Sequence, residues 1–281
     1  MNGFVPADFP ADLRAPLARL EAVIGARGPM VVAFSGGVDS GLLAYVAHRV
    51  LGGRMACVIG VSPSLAAGEE EAALAFLDRH GIAHARIATG EVADPRYRAN
   101  GPDRCYFCKA ELFARIEAAP EARAFPLLAY GANADDRFDH RPGARAAEEH
   151  GVCAPLAEAG FSKDLVRRTA RSFALSLWDK PASPCLASRI PYHREVTEEK
   201  LRQVDRAEMV LKSLGFGVCR VRHFGETARI EVPLEEHPRL HAPEVWSRVA
   251  DGIIEAGFLN VEVDARGLRS GGLNDAWRAS P

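Results

Sequence analysis

Short apolar runs alternate with longer stretches of helical character in the first part of the chain. The runs at 31–34, 55–61 and 83–87 have the length of buried strands, and residues 41–50 and 69–80 between them have the pattern of helices. Because parallel strands must be joined by crossovers, which are usually helices, this order predicts a parallel sheet covered by helices on both faces. The predicted fold class is therefore α/β.

Other segments extend this pattern on either side. An opening amphipathic helix is predicted by five apolar residues that share one helical face, namely Leu13, Leu17, Leu20, Val23 and Ile24. Residues 125–131 are expected to form a later strand of the same sheet, and residues 163–177 a later helix.

The pattern changes near Pro191, where a smaller α+β domain is expected to begin. Residues 197–214 predict a long helix with Thr197 as its N-cap and Gly215 at its C-terminal end. A hairpin, a helix and a strand are then predicted at 218–223 with 228–232, at 246–256 and at 258–263. The predicted domains are residues 1–192 and 193–281, connected through residues 181–191.

Composition excludes several classes of protein. With 48% hydrophobic residues, 26% charged residues and a formal net charge of −2, the chain has no disorder signature and no basic excess for nucleic acid. No apolar run approaches the roughly 18 residues of a membrane span, and residues 1–10 lack the pattern of a secretory signal. We expect a cytoplasmic protein, whose six cysteines are thiols, core residues or ligands rather than a disulfide framework.

The segment Ser35-Gly36-Gly37-Val38-Asp39-Ser40 lies between a predicted strand and a predicted helix start. Glycines let the backbone approach phosphate closely, and the free N–H groups of a helix start bind anions. Asp39 would repel phosphate directly, so it is expected to hold Mg²⁺ or to cap the turn. No GxxxxGK[ST] or GxGxxG pattern is present, and the remaining alternative is a turn of small residues without a ligand.

Residues 35–40 resemble the SGGxDS signature of the PP-loop ATP pyrophosphatases, which adenylate a substrate and release pyrophosphate with Mg²⁺ on the leaving phosphates. The resemblance implies that Ser35, Gly36, Gly37, Asp39 and Ser40 bind ATP. A second ligand-binding position is expected where a parallel strand ends, at Asn133, Asp135 and Asp136. Each of these three could instead form an Asx turn.

Three cysteines have spacing that indicates chemistry. Cys105 and Cys108 form a CxxC, which is typical of half a zinc site, a redox pair or two buried thiols. Cys185 lies in the predicted connection between the domains, and loops often carry catalytic residues. Cys57, Cys153 and Cys219 sit within or beside apolar runs and are expected in the core.

The order of motifs resembles a narrower family, the LarE-type ATP-dependent sulfur transferases of nickel-pincer nucleotide biosynthesis. The matching segments are SGGVDS at 35–40, RCYFCK at 104–109, YGANADD at 130–136, HRPGAR at 140–145, DKPASPCLASRIPY at 179–192, RVRHFGETARIEV at 220–232 and GLRSGGLN at 267–274. The resemblance implies pyridinium biscarboxylic acid mononucleotide as the substrate and a thiocarboxylate as the product. It also implies a homohexamer.

Two sulfur sources are implied by this resemblance. Some members sacrifice the sulfur of the cysteine that matches Cys185, whereas others hold a [4Fe-4S] cluster with the cysteines that match Cys105, Cys108 and Cys185. Since this chain has all three, it resembles the cluster-bearing branch, in which three thiolates leave one iron open. The cysteine sulfur in either case acts as thiolate.

The remaining site residues follow from the resemblance and from charge. Lys109 is expected to bind ATP with the phosphate loop, and Asp39 to assist Mg²⁺. The anionic substrate is expected to meet Arg189, Arg220 and Arg222, because arginine pairs with phosphate and carboxylate in a bidentate way, with further contributions from Ser188, Glu208 and Glu231. The alternatives are solvent-facing arginines on an edge hairpin and, for Glu208, a solvated helix face.

Two other functions fit the phosphate loop. A cluster-dependent tRNA thiolase would need a basic RNA-binding surface or an added zinc module, and neither is visible in the sequence. A regulatory protein that binds ATP without turning it over would leave the thiols and Lys109 unused.

Overall fold

The computed structural model describes residues 5–6, 8–138, 142–181 and 183–269. Its strands are β1 Met30–Ala33, β2 Met55–Val61, β3 His84–Ala88, β4 Leu127–Tyr130, β5 Arg220–Phe224, β6 Thr227–Glu231 and β7 Asn260–Val263. Its helices are α1 Ala11–Arg27, α2 Val38–Leu51, α3 Glu69–Arg79, α4 Pro95–Arg98, α5 Arg104–Ala118, α6 Pro142–Glu149, α7 Pro155–Glu158, α8 Lys163–Ser172, α9 Glu198–Ser213, α10 His237–Leu240 and α11 Pro243–Glu255. None of the described helices is long and apolar enough to cross a membrane.

The chain forms two compact units, each of which is assembled from three separate segments of the sequence. The first contains Met1–Ser62, Gly68–Glu91 and Cys105–Ser183, and the second contains Pro63–Ala67, Val92–Arg104 and Pro184–Pro281. The second unit therefore recruits two short segments from the first half of the chain. A functional division at 192/193 stays a prediction.

The first unit contains a four-stranded parallel sheet in the order β3-β2-β1-β4. Central β1 is buried along its whole length, because successive side chains enter different cores. Met30 and Val32 pack with the cluster that includes α1 and α2, while Val31 and Ala33 pack with the cluster on the opposite face. The prediction of an α/β fold with helices on both faces of a parallel sheet is confirmed.

The second unit contains a three-stranded sheet in the order β5-β6-β7. Strands β5 and β6 form the predicted antiparallel hairpin, and β7 joins β6 in parallel after helix α11. The side chain of Thr197 accepts a hydrogen bond from the Lys200 N–H at 3.3 Å, as expected for the N-cap of α9. Gly215 follows α9 with a φ of +86°, the left-handed conformation that glycine adopts without strain.

The predicted helix at 163–177 is five residues too long. Helix α8 ends at Ser172, and Ala174 has a φ of +51°, so the chain turns out of the helix while the apolar residues continue. Leu175 and Leu177 are still buried, which explains why their spacing resembled helix. Residues 140–141, 182 and 270–274 of the matching segments lie outside the described residues.

Candidate active site

The loop between β1 and α2 is closed by the hydroxyl of Ser40. Its oxygen accepts from the Ser35 N–H at 3.2 Å, donates to the Gly37 carbonyl at 3.1 Å, and lies 3.1 Å from the hydroxyl oxygen of Ser35. Gly36 adopts a φ of +69°, which a side chain would strain. The predicted phosphate-binding residues therefore form one small turn at the N-terminus of a 14-residue helix.

The end of β4 lies directly against this loop. A Cβ atom on Gly131 would lie 2.6 Å from the backbone nitrogen of Ser40, so only glycine permits this approach. Two residues later, Asn133 is 4% exposed and donates from Nδ2 to Oδ1 of Asp39 at 3.1 Å. The structure thus brings the predicted residue Asn133 to the predicted phosphate loop.

Asn133 also organises the acidic turn that follows it. Its Oδ1 accepts from the Asp135 N–H at 3.0 Å, which is an Asx turn, and its own N–H donates to Oδ2 of Asp136 at 3.1 Å. The Asx turn and the contact with Asp39 coexist, because they use different atoms of one amide. Asp135 accepts from the Lys163 N–H at 2.8 Å and so ties this turn to α8.

Two lysines without a predicted role contact the predicted phosphate loop. Lys163 forms an ion pair with Asp39. Lys180 donates to the Gly36 carbonyl at 3.0 Å and to Oε2 of Glu69 at 2.8 Å. The sequence contained one indication of a role for Lys163. It lies in the first turn of α8, where the helix dipole disfavours a cation, so a lysine at this position indicates a nearby negative charge.

Lys109 lies beside the end of β4. Its ammonium is 4.7 Å from the ring centroid of Tyr130, a cation–π contact. Its side chain also passes over Gly143, where a Cβ atom would lie 2.6 Å from Cδ of Lys109. Lys109 is therefore held next to the residue that precedes Gly131.

The six cysteines divide into two chemical groups. Cys57, Cys153 and Cys219 are buried, as predicted, and desolvation raises the pKa of each thiol; that of Cys219 reaches about 12, with a smaller contribution from Glu208. Cys105 is exposed and Cys108 is partly exposed. These two lie three residues apart in the first turn of α5, so they share one side of the helix.

Cys185 belongs to the second unit and is partly exposed. It precedes the short 3₁₀ turn Leu186–Arg189, and its carbonyl accepts from the Ser188 N–H at 2.9 Å. Among the described residues, no group of three or more His, Cys, Asp or Glu side chains is gathered to hold a metal ion. The three-cysteine cluster therefore stays a prediction.

Arg189 fixes the backbone around Cys185. Its Nη1 lies 2.5 Å from the Pro184 carbonyl and 3.3 Å from the Cys185 carbonyl, both of which accept from it. Its Nε and Nη2 pair with the two carboxylate oxygens of Glu208 at 2.8 and 3.0 Å. Glu208 is 1% exposed, so the interpretation of this residue as a solvated helix face is wrong.

A second buried ion pair lies on the hairpin. Arg222 binds both oxygens of Glu231, at 2.9 and 2.8 Å, and donates from Nη1 to the Ser188 carbonyl at 2.8 Å. Arg222 is 3% exposed, so it is not a solvent-facing arginine. Both guanidinium groups are thus already paired with carboxylates while they hold the turn after Cys185.

Arg220 differs from these two arginines. It makes no ion pair with any described residue, and its hydrogen bond is a long one, 3.5 Å to the Arg269 carbonyl. Desolvation, followed by the charges of Arg222 and Arg189, lowers the pKa of Arg220. Because no described carboxylate forms an ion pair with it, this half-buried guanidinium is a favourable place for an anion.

A parallel sheet whose first central strand leads through Ser-Gly-Gly-Val-Asp-Ser into a helix defines the first unit as a PP-loop domain. No protein-family profile matches the chain. An uncharacterized protein of Synechocystis sp. is 42% identical over 262 residues, 93% of this chain and 98% of its own length. The glutamine-hydrolyzing GMP synthase of Aeropyrum pernix is 30% identical over 209 residues, 65% of this chain and 39% of that enzyme.

The pyridinium-3,5-bisthiocarboxylic acid mononucleotide synthase of Lactiplantibacillus plantarum is 33% identical over 267 residues, 94% of this chain and 96% of its own length. The chain belongs to the family of this synthase. The predicted membership of the LarE-type family is confirmed, while the cluster-bearing branch stays a prediction.

Proposed function

We propose that the chain is an ATP-dependent sulfur transferase of nickel-pincer nucleotide biosynthesis. Its substrate would be pyridinium-3,5-biscarboxylic acid mononucleotide, one carboxylate of which becomes a thiocarboxylate while ATP becomes AMP and pyrophosphate. The observation that carries this proposal is the match to the L. plantarum synthase over nearly the whole of both chains. The closed loop of Ser35–Ser40 supports the use of ATP.

The ATP phosphates would lie at the N-terminus of α2, where Gly36, Gly37 and the hydroxyls of Ser35 and Ser40 offer donors. Lys163, Lys180 and Lys109 would supply positive charge to the triphosphate. Asp39, with Asp136 nearby in the same turn system, supplies the carboxylate oxygens that suit Mg²⁺. Magnesium would neutralise the pyrophosphate as it leaves.

The first chemical step would be adenylation. A substrate carboxylate oxygen attacks the α-phosphorus, the bond from that phosphorus to the bridging oxygen breaks, and pyrophosphate leaves. The product is an acyl-adenylate, whose carbonyl carbon is open to a sulfur nucleophile. In the sacrificial route the Cys185 thiolate attacks this carbon and AMP leaves. Elimination then breaks the Cβ–Sγ bond, giving the thiocarboxylate and a dehydroalanine at position 185.

The donor chemistry of the chain also suits an iron–sulfur cluster. Cys105 and Cys108 present two accessible thiols from one helix turn, and Cys185 is a third accessible thiol in a loop. These three residues would hold a [4Fe-4S] cluster, which would supply sulfide as the sulfur source, so that Cys185 would keep its own sulfur. The three buried thiols are less suited to iron, because burial raises their pKa and so disfavours the thiolate form that binds metal.

The substrate phosphate or carboxylates would meet Arg220, since among the three predicted arginines it is the one that makes no ion pair with a described residue. Arg189, Arg222, Glu208 and Glu231 would then act by shaping the site around Ser188 and Cys185 rather than by free charge. Assembly as a homohexamer is a further part of the proposal.

The test combines metal analysis with product analysis on protein purified without oxygen. We expect ATP and the biscarboxylate substrate to give pyrophosphate, AMP and a product heavier by the exchange of oxygen for sulfur. Pyrophosphate without sulfur transfer would contradict the proposed function, and absence of pyrophosphate would favour a regulatory ATP-binding protein. Binding of tRNA with thiolation would instead favour the tRNA thiolase.

The same samples separate the two sulfur sources. Iron and acid-labile sulfide at about four each per chain, lost in each of Cys105→Ala, Cys108→Ala and Cys185→Ala, would establish the cluster. Protein that stays free of iron after reconstitution, with one product per chain and a residue 185 lighter by H₂S, would establish the sacrificial route. Cys153→Ala is the matched control, because that thiol is buried.

A further inference from the structure

Asn100 is a fully buried amide in an unusual backbone conformation. It is 0% exposed and has a φ of +55°, in the left-handed region that asparagine tolerates better than most residues. Its Nδ2 lies within 3.2 Å of the Ile190 carbonyl, 2.8 Å of the Pro191 carbonyl and 3.0 Å of the Arg194 carbonyl. One side chain therefore gathers three carbonyls of a single turn, all of them within the second unit.

Backbone contacts run alongside this amide. The Asn100 carbonyl accepts from the His193 N–H at 3.1 Å, and the Arg98 carbonyl accepts from the Val196 N–H at 2.9 Å. His193 itself has a φ of +62°, so the turn is tight on both sides of the contact. Nothing in the sequence alone pairs these segments, because the contacts of Asn100 span 90 residues or more.

Arg104 extends the network toward Cys185. Its Nη1 donates to Oδ1 of Asn100 at 2.5 Å and to the Ala187 carbonyl at 2.9 Å. Arg104 is 6% exposed, so these bonds form away from water, where a charge-assisted hydrogen bond is strong. Ala187 lies two residues after Cys185, in the 3₁₀ turn Leu186–Arg189 that Cys185 precedes.

We propose that Asn100 and Arg104 are positioning residues that fix the loop bearing Cys185. The inference rests on the proposed function of Cys185 as a sulfur donor or cluster ligand. Arg189 holds the carbonyls of Pro184 and Cys185, while Arg104 and Asn100 hold those of Ala187, Ile190, Pro191 and Arg194. The loop is thus fixed on both sides of the thiol by buried donors.

Such fixing matters because sulfur transfer is sensitive to geometry. A displacement of about 1 Å in a reacting group can cost about 100-fold in rate. The residues proposed to bind ATP form none of the hydrogen bonds of this network. Loss of the network is therefore expected to reduce sulfur transfer more than it reduces pyrophosphate release. A purely structural role would lower both together through loss of folded protein.

The principal variant is Asn100→Gly. Glycine keeps the left-handed backbone available and removes only the amide, so any effect belongs to the side chain. Asn100→Asp keeps the shape but places a carboxylate against three carbonyls. Arg104→Met removes the bond to Ala187 with Asn100 intact, which keeps the inference testable if the first variant fails to fold. His193→Gly is the matched control, since it alters the same turn at an exposed residue.

Two readouts are used on the full-length chain. The first is the rate at which iodoacetamide alkylates Cys185 across a pH series, measured by mass spectrometry of its peptide. We expect the alkylation rate of Cys185 to rise at least about threefold in Asn100→Gly and Arg104→Met, because a loop without these hydrogen bonds opens more often. The second is the ratio of thiocarboxylate to pyrophosphate, which we expect to fall about tenfold or more.

The outcomes are distinct. If folded Asn100→Gly and Arg104→Met match His193→Gly in both readouts, the positioning role is overturned. If the parent chain transfers no sulfur but Cys185 alkylation still depends on Asn100 and Arg104, the proposed function fails and the positioning role stands. An equal fall in pyrophosphate and thiocarboxylate with unchanged alkylation would also overturn the positioning role.

Discussion

At the scale of single residues, charge pairing decides which side chains are available to a ligand. Glu208 accepts hydrogen bonds from Nε and Nη2 of Arg189, and Glu231 accepts them from Nε and Nη2 of Arg222. These two arginines therefore have few N–H donors available for an anion. Arg220 lies among them without an ion pair to a described residue. Residue type alone made these three arginines equivalent, and only the fold distinguishes them.

The lysines at the phosphate loop lead to a prediction at this scale. Lys163→Met should weaken ATP binding by about 10-fold to 100-fold, since a charge-assisted hydrogen bond contributes about 1.5–3 kcal/mol. The measurement is titration calorimetry with a non-hydrolysable ATP analogue and Mg²⁺. Lys212→Met, at an exposed position of α9, is the control and should bind as the parent does. Equal affinity in both variants would remove Lys163 from the site.

At the scale of elements, the site depends on how closely the end of β4 approaches α2. Strand β1 is the central buried strand, and β4 lies beside it in parallel register from Met30 opposite Leu127. That register delivers Gly131 to the backbone of Ser40, and it delivers Asn133 to Asp39. The start of α2 is the predicted anion site, and the neighbouring strand β4 determines the shape of the loop around it.

A single added methyl group should disturb this approach. Gly131→Ala would place Cβ 2.6 Å from the backbone nitrogen of Ser40. The nearest atoms all belong to the backbone of Asp39 and Ser40, so no side chain can rotate away and the loop itself must move. We expect a loss of about 1–3 kcal/mol in folding free energy, measured by urea unfolding, together with weaker nucleotide binding. Gly53→Ala is the matched control, because a Cβ there meets no atom within 4 Å. Wild-type nucleotide affinity in Gly131→Ala would show that the contact is dispensable.

At the scale of the whole molecule, stability is expected to fall in mild acid. Desolvation, with smaller effects from neighbouring cations, lowers the pKa of His80 in the first unit and of His223 in the second below the ordinary value of 6.5. The unfolded chain therefore binds more protons as pH falls through about 6.5, and unfolding becomes easier.

This pH dependence can be assigned with one variant. His223→Gln keeps a donor toward Gln203, whose Oε1 lies 2.9 Å from Nε2 of His223, but it cannot take up a proton. We expect the loss of unfolding free energy between pH 7 and pH 5 to be smaller in this variant than in the parent. His241→Gln, at an exposed histidine, should retain the parental loss. An unchanged slope in His223→Gln would assign the effect elsewhere.

The parts of this molecule that sequence predicts are those formed by contiguous residues. Strand β1, the glycine turn and the start of α2 follow one another, so the position of this turn between strand and helix could be predicted. Lys163 and Asp39 are 124 residues apart, and Lys180 and Gly36 are 144 apart, so no local pattern joins them. Glu208 showed the same limit, since burial against Arg189 is a property of packing and not of helical spacing.

The ion pair between Asp39 and Lys163 has a consequence for the order in which ligands are accepted. In the proposed function Asp39 holds magnesium, so a free magnesium ion would have to displace the Lys163 ammonium, which would then lose this carboxylate as its partner. A nucleotide that arrives with its metal removes this obstacle, because its phosphates receive the lysine while the metal takes the carboxylate. The loop should therefore bind magnesium alone or nucleotide alone weakly, and should bind the metal–nucleotide complex more tightly than either.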